Sequence, residues 1–247
     1  MTGAHAFPDS STDGGYLTLV LPSRNDVRHL RKILQTILEA RIRIRVTLVD
    51  SGSRTINHSY MRTVVEEFVN EGLDITLILA KAGIGNALSA GFKNAKTLAV
   101  AWFPTDGQLP LSVLERICDI EKQSSALIIV RVNYEQVSGV LRRALTAWNY
   151  LLIKVLLGID IRQFNGAFVM PAEVVTQLPM KFHTAAMNWA ILHSAISKGL
   201  DIEKVSAIVK QRDVGRSRIT KSELLRYPVE LARYAWISRS GDLSTRR

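Results

Sequence analysis

Short apolar runs alternate along this chain with longer stretches in which apolar residues recur every three or four positions. The runs Leu17–Leu21, Val46–Val49, Ile75–Ala80, Ala99–Phe103 and Ala126–Val130 read as buried strands. Between them, Asp26–Ala40 carries Val27, Leu30, Ile33, Leu34, Ile37 and Leu38 at helical spacing behind an Asn25 or Asp26 cap. Ser59–Glu71, Gly85–Lys96 and Leu111–Gln123 predict three further helices. This alternation is the rhythm of parallel strand–helix–strand units and predicts an α/β fold with a mostly parallel sheet flanked by helices. Beyond Arg131 the alternation fails. There the pattern predicts a long mixed helix over Gly139–Leu157, a short strand over Gly166–Met170 and a helix over Ala185–Lys198. A last strand over Glu203–Val209 and a terminal helix over Glu223–Ile237, interrupted at Pro228, complete the series.

The polar residues that end the strands carry the chemistry. Val46–Val49 runs into Asp50-Ser-Gly-Ser53, and Leu98–Phe103 runs into Pro104-Thr-Asp106-Gly-Gln108. Leu17–Leu21 runs into Pro22-Ser-Arg-Asn-Asp26. In open α/β sheets the carboxyl ends of the strands are where ligands bind, so three strand ends define one crevice. An aspartate beside glycine and an amide suits a metal-bound diphosphate, because Mg²⁺ shares its oxygen ligands between one or two carboxylates and substrate phosphates.

Composition narrows the class. The 247 residues, 47% of them hydrophobic, suffice for one α/β unit, placed here at residues 16–238. Residues 1–15 are expected to be a disordered leader and 239–247 a flexible basic tail. The single cysteine, Cys118, rules out an internal disulfide framework and fits a reducing, cytoplasmic setting. No apolar stretch reaches the ~18 residues of a membrane-spanning helix; Leu141–Ile161 comes nearest, broken by Arg142, Arg143, Lys154 and Asp160. Net charge is +10, and from Lys198 onward 12 Lys/Arg face 6 Asp/Glu, a basic end that suits phosphates or an anionic surface. Zinc spacing, an RNP-type aromatic strand and a basic recognition helix are all missing, which argues against nucleic acid.

Taken in order, the motifs resemble those of family two glycosyltransferases with the GT-A fold, a Rossmann-type architecture. Val20–Asp26 looks like their V-x-P-x-Y-N-E opening, Val49–Ser53 like V-D-D-G-S, and Ala82–Gly91 like G-x-G-x-A-x-x-x-G. Phe103–Pro110 is similar to D-x-D-G-Q-x-P with its first Asp replaced by Pro104. Arg131, Asn165–Phe168 and Arg212–Arg218 resemble later blocks of the branch that makes polyprenyl-phosphate sugars, such as dolichol-phosphate mannose synthases. The resemblance implies an inverting hexosyl transfer from a nucleotide sugar, with Mg²⁺ or Mn²⁺ as cofactor held by Asp106 and Gln108. Base and ribose would lie near Pro22, Ser23, Asp26 and Asp50, with Gly83 and Gly85 as further donor contacts. Arg131, Arg212, Ser217 and Arg218 would hold phosphates, and Asp106, Arg212 and Arg218 would be catalytic. Ser51 for the second Asp, Arg24 for the usual Tyr and Gln163 near a usual Asp are departures from the pattern.

The same resemblance implies an acceptor. Relatives that deprotonate a hydroxyl usually carry an acidic residue on the helix that here reads Ala185-Ala-Met-Asn188-Trp189, and none is present. A phosphate monoester is already ionised near neutral pH, its second pKa being about 6, so it needs no base. That favours a polyprenyl phosphate at the inner face of a membrane, with Leu141–Leu157 lying in the headgroup region; a buried helix or a homodimer face is the other reading of that segment. The alternative is transfer to a hydroxyl or amine of a soluble small molecule, for which His183 is the candidate base. A degenerate, nucleotide-binding non-enzyme is the third reading.

Overall fold

The protein, seen in a computed structural model, is described here over residues 17–25, 27–40, 44–118, 126–132, 139–210 and 221–244. Its seven described strands are β1 (Leu17–Ser23), β2 (Ile44–Asp50), β3 (Ile75–Leu79), β4 (Ala99–Trp102), β5 (Ala126–Arg131), β6 (Phe164–Pro171) and β7 (Ile202–Ala207). They form one sheet in the order β3-β2-β1-β4-β6-β5-β7. Neighbours pair in parallel except at β6, which runs antiparallel to both β4 and β5. The carboxyl ends of the parallel strands and the amino end of β6 therefore share one edge of the sheet.

The described helices are α1 (Leu30–Glu39), α2 (Thr55–Asn70), α3 (Ile84–Lys93), α4 (Leu111–Cys118), α5 (Val140–Leu157), α6 (Ala172–Thr176), α7 (Ala186–Ser197) and α8 (Lys221–Ser244). β1 is buried along its whole length, as a central strand covered on both faces must be. α1 turns Leu30, Ile33, Leu34 and Ile37 inward, the stripe its periodicity predicts. Every residue of α7 from Ala186 to Leu192 is buried, so this helix is a core element and not an amphipathic surface one.

The GT-A-like fold class expected from the motifs is the observed one. Two local expectations are corrected, and one short helix was not foreseen. α2 starts at Thr55, a turn earlier than its apolar spacing indicates, and α6 is too short for its periodicity to be legible. Pro228 does not interrupt α8. A proline takes away the N–H that would bond the carbonyl four residues back, and Leu224, which loses that partner, is exposed.

Candidate active site

The loops after β1, β2 and β4 open side by side because register aligns their strands: Ser23 faces Asp50, and Val20 faces Trp102. They are also tied to one another. The Thr105 hydroxyl donates to the Pro22 carbonyl at 3.0 Å, and the backbone N–H of Ser51 donates to the Ser23 carbonyl at 3.0 Å. Asn25, with φ 57°, adopts the left-handed conformation that asparagine tolerates. Its N–H donates to Ser53 Oγ at 2.9 Å, and its Oδ1 accepts from the Arg54 N–H at 2.7 Å and from Asn57 Nδ2 at 3.0 Å. Pro22 and Ser23 themselves are buried and meet the crevice mainly as backbone.

Asp50 ends β2 with its carboxylate turned inward. Oδ1 accepts the Ser53 N–H at 2.8 Å, and Oδ2 lies 2.8 Å from His58 Nδ1 in the first turn of α2. His58 has no signature in the sequence; only its place one turn into α2, eight residues beyond Asp50, brings the two together.

Asp106 sits in the loop after β4, with Oδ1 accepting the Gln108 N–H at 3.2 Å across Gly107. The Gln108 carbonyl accepts the Lys210 N–H at 2.9 Å, which anchors the chain leaving β7 beside this loop. Among the described residues no group of three or more His, Cys, Asp or Glu is arranged to hold a metal ion. One carboxylate with a neighbouring amide oxygen is still a hard-oxygen donor set. It fits a Mg²⁺ or Mn²⁺ ion that completes its shell with diphosphate oxygens and water.

Gly83 and Gly85 open α3 against the turn at Phe182–Thr184. A Cβ on Gly85 would lie 2.7–2.8 Å from backbone atoms of that turn, and the Gly85 N–H donates to the His183 carbonyl at 3.2 Å. Close backbone packing thus accounts for these glycines. The turn is held from the other side by Glu230 of α8, a buried carboxylate that sequence reasoning missed. It accepts from the His183 N–H (3.1 Å), the Thr184 N–H (3.1 Å) and the Thr184 hydroxyl (2.8 Å). The Thr184 hydroxyl oxygen in turn accepts the Ala186 N–H at 3.2 Å at the start of α7. The His183 side chain is exposed at this rim.

A polar and aromatic cluster lies where the amino end of β6 meets α5, α7 and α8. Trp189 meets Phe164 edge-on at 5.1 Å and Tyr150 at 6.0 Å between ring centroids. On these elements and the residue preceding β6, three buried oxygens make no hydrogen bond of normal geometry: Gln163 Oε1, Asn188 Oδ1 and Tyr227 OH. Gln163 also holds a left-handed φ of 59°. Burial pushes the Tyr227 hydroxyl well above the usual phenol range. Orphaned buried polar atoms are uncommon and ask for a partner.

Not every expected site residue falls within this description. Asp26, Arg212, Ser217 and Arg218 lie outside the described residues. Arg131 ends β5, paired with Ala207 on the same edge as Asp106, and its side chain is likewise outside the description.

A mostly parallel sheet with loops tied together at one edge and an acidic residue after β4 is the arrangement expected of a GT-A type glycosyltransferase. The chain belongs to glycosyl transferase family 2, whose model matches residues 18–188. Among solved structures it is similar to glucosyl-3-phosphoglycerate synthase from Mycobacterium tuberculosis in complex with Mn²⁺, UDP-glucose and phosphoglyceric acid. That likeness has 18% identity, a TM-score of 0.60, and covers 92% of this chain and 80% of the other. The same enzyme in complex with UDP matches at 19% identity and TM-score 0.59, covering 92% and 81%. Its complex with Mn²⁺, UDP and glucosyl-3-phosphoglycerate matches at 17% and 0.54, with the same coverage. No curated protein matches the chain by sequence.

These findings correct the expected branch and acceptor. The similar structures belong to an enzyme crystallised with a small phosphorylated acid, not with a polyprenyl phosphate. No helix among the described residues is long and apolar enough to cross a membrane. The α5 segment that carried the membrane-surface reading buries Ile153 and Leu157 in the core and commits Tyr150 to Trp189.

Proposed function

We propose that this glycosyltransferase moves a sugar from a nucleoside diphosphate donor to a hydroxyl or amine of a small molecule, inverting the anomeric carbon. One observation carries the reading: the loops ending in Asp50 and Asp106 are cross-tied at a single edge of a GT-A sheet. The Mn²⁺ and UDP-glucose of the similar structures support it. The nucleoside lies at the ends of β1 and β2 and the diphosphate at the Asp106–Gln108 loop. A divalent cation held there would supply positive charge to offset that of the diphosphate leaving group. Asp106, with Gln108, would hold that cation, and the turn across Gly107 fixes the Asp106 carboxylate in place.

The acceptor hydroxyl or amine enters at the rim where the His183 side chain is exposed. Such an acceptor must lose a proton, and His183, exposed at the rim with its backbone clamped by Glu230, is the group to take it.

The test is Mn²⁺-dependent release of nucleoside diphosphate from a panel of nucleotide sugars with polyol and amine acceptors. Asp106→Ala should lower turnover by about 100-fold, the size typical of losing one electrostatic stabiliser, with an unchanged melting temperature. Full activity in that variant would remove Asp106 from the mechanism.

A further inference from the structure

Asp50 cannot present its carboxylate to a ligand in the way a strand-end aspartate usually does. The residue is only 2% exposed. Both oxygens are engaged at 2.8 Å, one by the Ser53 N–H and the other by His58 Nδ1. His58, by contrast, has a side chain 33% exposed at the same strand end. Its Nδ1 is committed to Asp50, so Nε2 lies on the opposite side of the ring, and among the described residues it has no hydrogen-bond partner.

We infer that His58, not Asp50, is the side chain that contacts the nucleoside of the donor. The inference rests on the donor-site reading above and deepens it. A carboxylate accepting the Nδ1 proton fixes the tautomer of a neutral imidazole and leaves the Nε2 lone pair outward as an acceptor. An acceptor there takes an N–H of the base or an O–H of the ribose. Asp50 is the positioning residue behind it: it aims the ring, and the Ser53 N–H, itself part of the Asn25–Ser53 tie, aims Asp50. The contact that a buried carboxylate cannot reach is carried outward by one imidazole.

Two substitutions separate contact from scaffolding. His58→Asn retains an amide N–H for Asp50 but ends short of the Nε2 position, whereas His58→Gln extends an amide to it. Calorimetry with Mn²⁺ and the tighter-binding of UDP and GDP is the measurement, alongside inorganic pyrophosphate. His58→Asn should weaken the nucleotide about three- to tenfold, the scale of one neutral hydrogen bond. Pyrophosphate affinity and melting temperature should stay as in the wild type, and His58→Gln should restore most of the loss. Analogues methylated at the base N–H or lacking the ribose 2′-hydroxyl tell the two sources apart: the one that supplies the donor no longer distinguishes wild type from His58→Asn. Equal nucleotide affinity in His58→Asn, or an equal loss for pyrophosphate, overturns the assignment. Wild-type protein that binds neither nucleotide overturns the donor-site reading itself.

Discussion

Gly107 stands between Asp106 and Gln108 and takes a φ of 72°, a conformation that side chains rarely adopt. A Cβ there would also lie 2.5 Å from the His29 ring, which covers the loop from the start of α1. Gly107→Ala is therefore expected to cost about 1–3 kcal/mol of stability, the usual price of a strained left-handed residue. Because the same turn aims Asp106, Mn²⁺-dependent nucleotide affinity should fall with it; chemical denaturation and calorimetry on one preparation read both effects. An alanine variant with wild-type stability would show that neither the backbone conformation nor the His29 ring opposes a side chain there. Asp50 and Asp106 were legible in the sequence because each stands within three residues of the end of an apolar run. His29, His58 and Glu230 were not, since their partners come from other elements and nothing in their local pattern marks them.

Among the helices, the joint between α7 and α8 is where a titration becomes a packing effect. The Tyr234 hydroxyl donates to the Ala190 carbonyl at 3.0 Å and lies 3.1 Å from His193 Nδ1. Burial raises the Tyr234 phenol to about 12, so it stays protonated. Burial, with the Arg239 charge adding to it, lowers His193 below the ordinary histidine value. A depressed folded-state pKa means that the unfolded chain takes up the proton first as pH falls. The neutral ring's contribution is then complete above the unfolded value of about 6.5 and is lost as pH drops through the folded one. Urea midpoints of the wild type should fall between pH 7.5 and 5, and His193→Gln should flatten part of that slope. A variant with the same slope would assign the effect to other groups. Element existence was readable from periodicity here, but Pro228 within α8 and the antiparallel sense of β6 were not. Both depend on what packs alongside, and an apolar run such as Ala167–Met170 carries no direction.

For the molecule as a whole, a net charge of +10 is a favourable setting for a diphosphate ligand, increasingly screened as salt is added. A ligand that binds only the folded chain stabilises it by mass action, about 2.7 kcal/mol at one hundred times its Kd. In a chain of this size that corresponds to a rise in melting temperature of roughly 5–11 °C. Nucleoside diphosphate with Mn²⁺ should produce such a shift, and a chelator should remove the metal-dependent part of it. No shift with any nucleotide would count against a donor site at the β1–β2–β4 edge.

The order of apolar runs was enough to specify the fold class, and the ordered motifs at the strand ends, by resemblance, the family. Those features are local: strand burial, helical spacing and turn chemistry are written within a few residues of one another. Tertiary structure decided which groups at the strand-end edge are buried and which are exposed. It turned Asp50 inward against a part-exposed His58, seated Gly83 and Gly85 against the Phe182–Thr184 backbone, and gathered Phe164 and Tyr150 around Trp189. The physical reason is that hydrogen-bond partners and burial are set by residues distant in the chain, and no short pattern encodes those encounters.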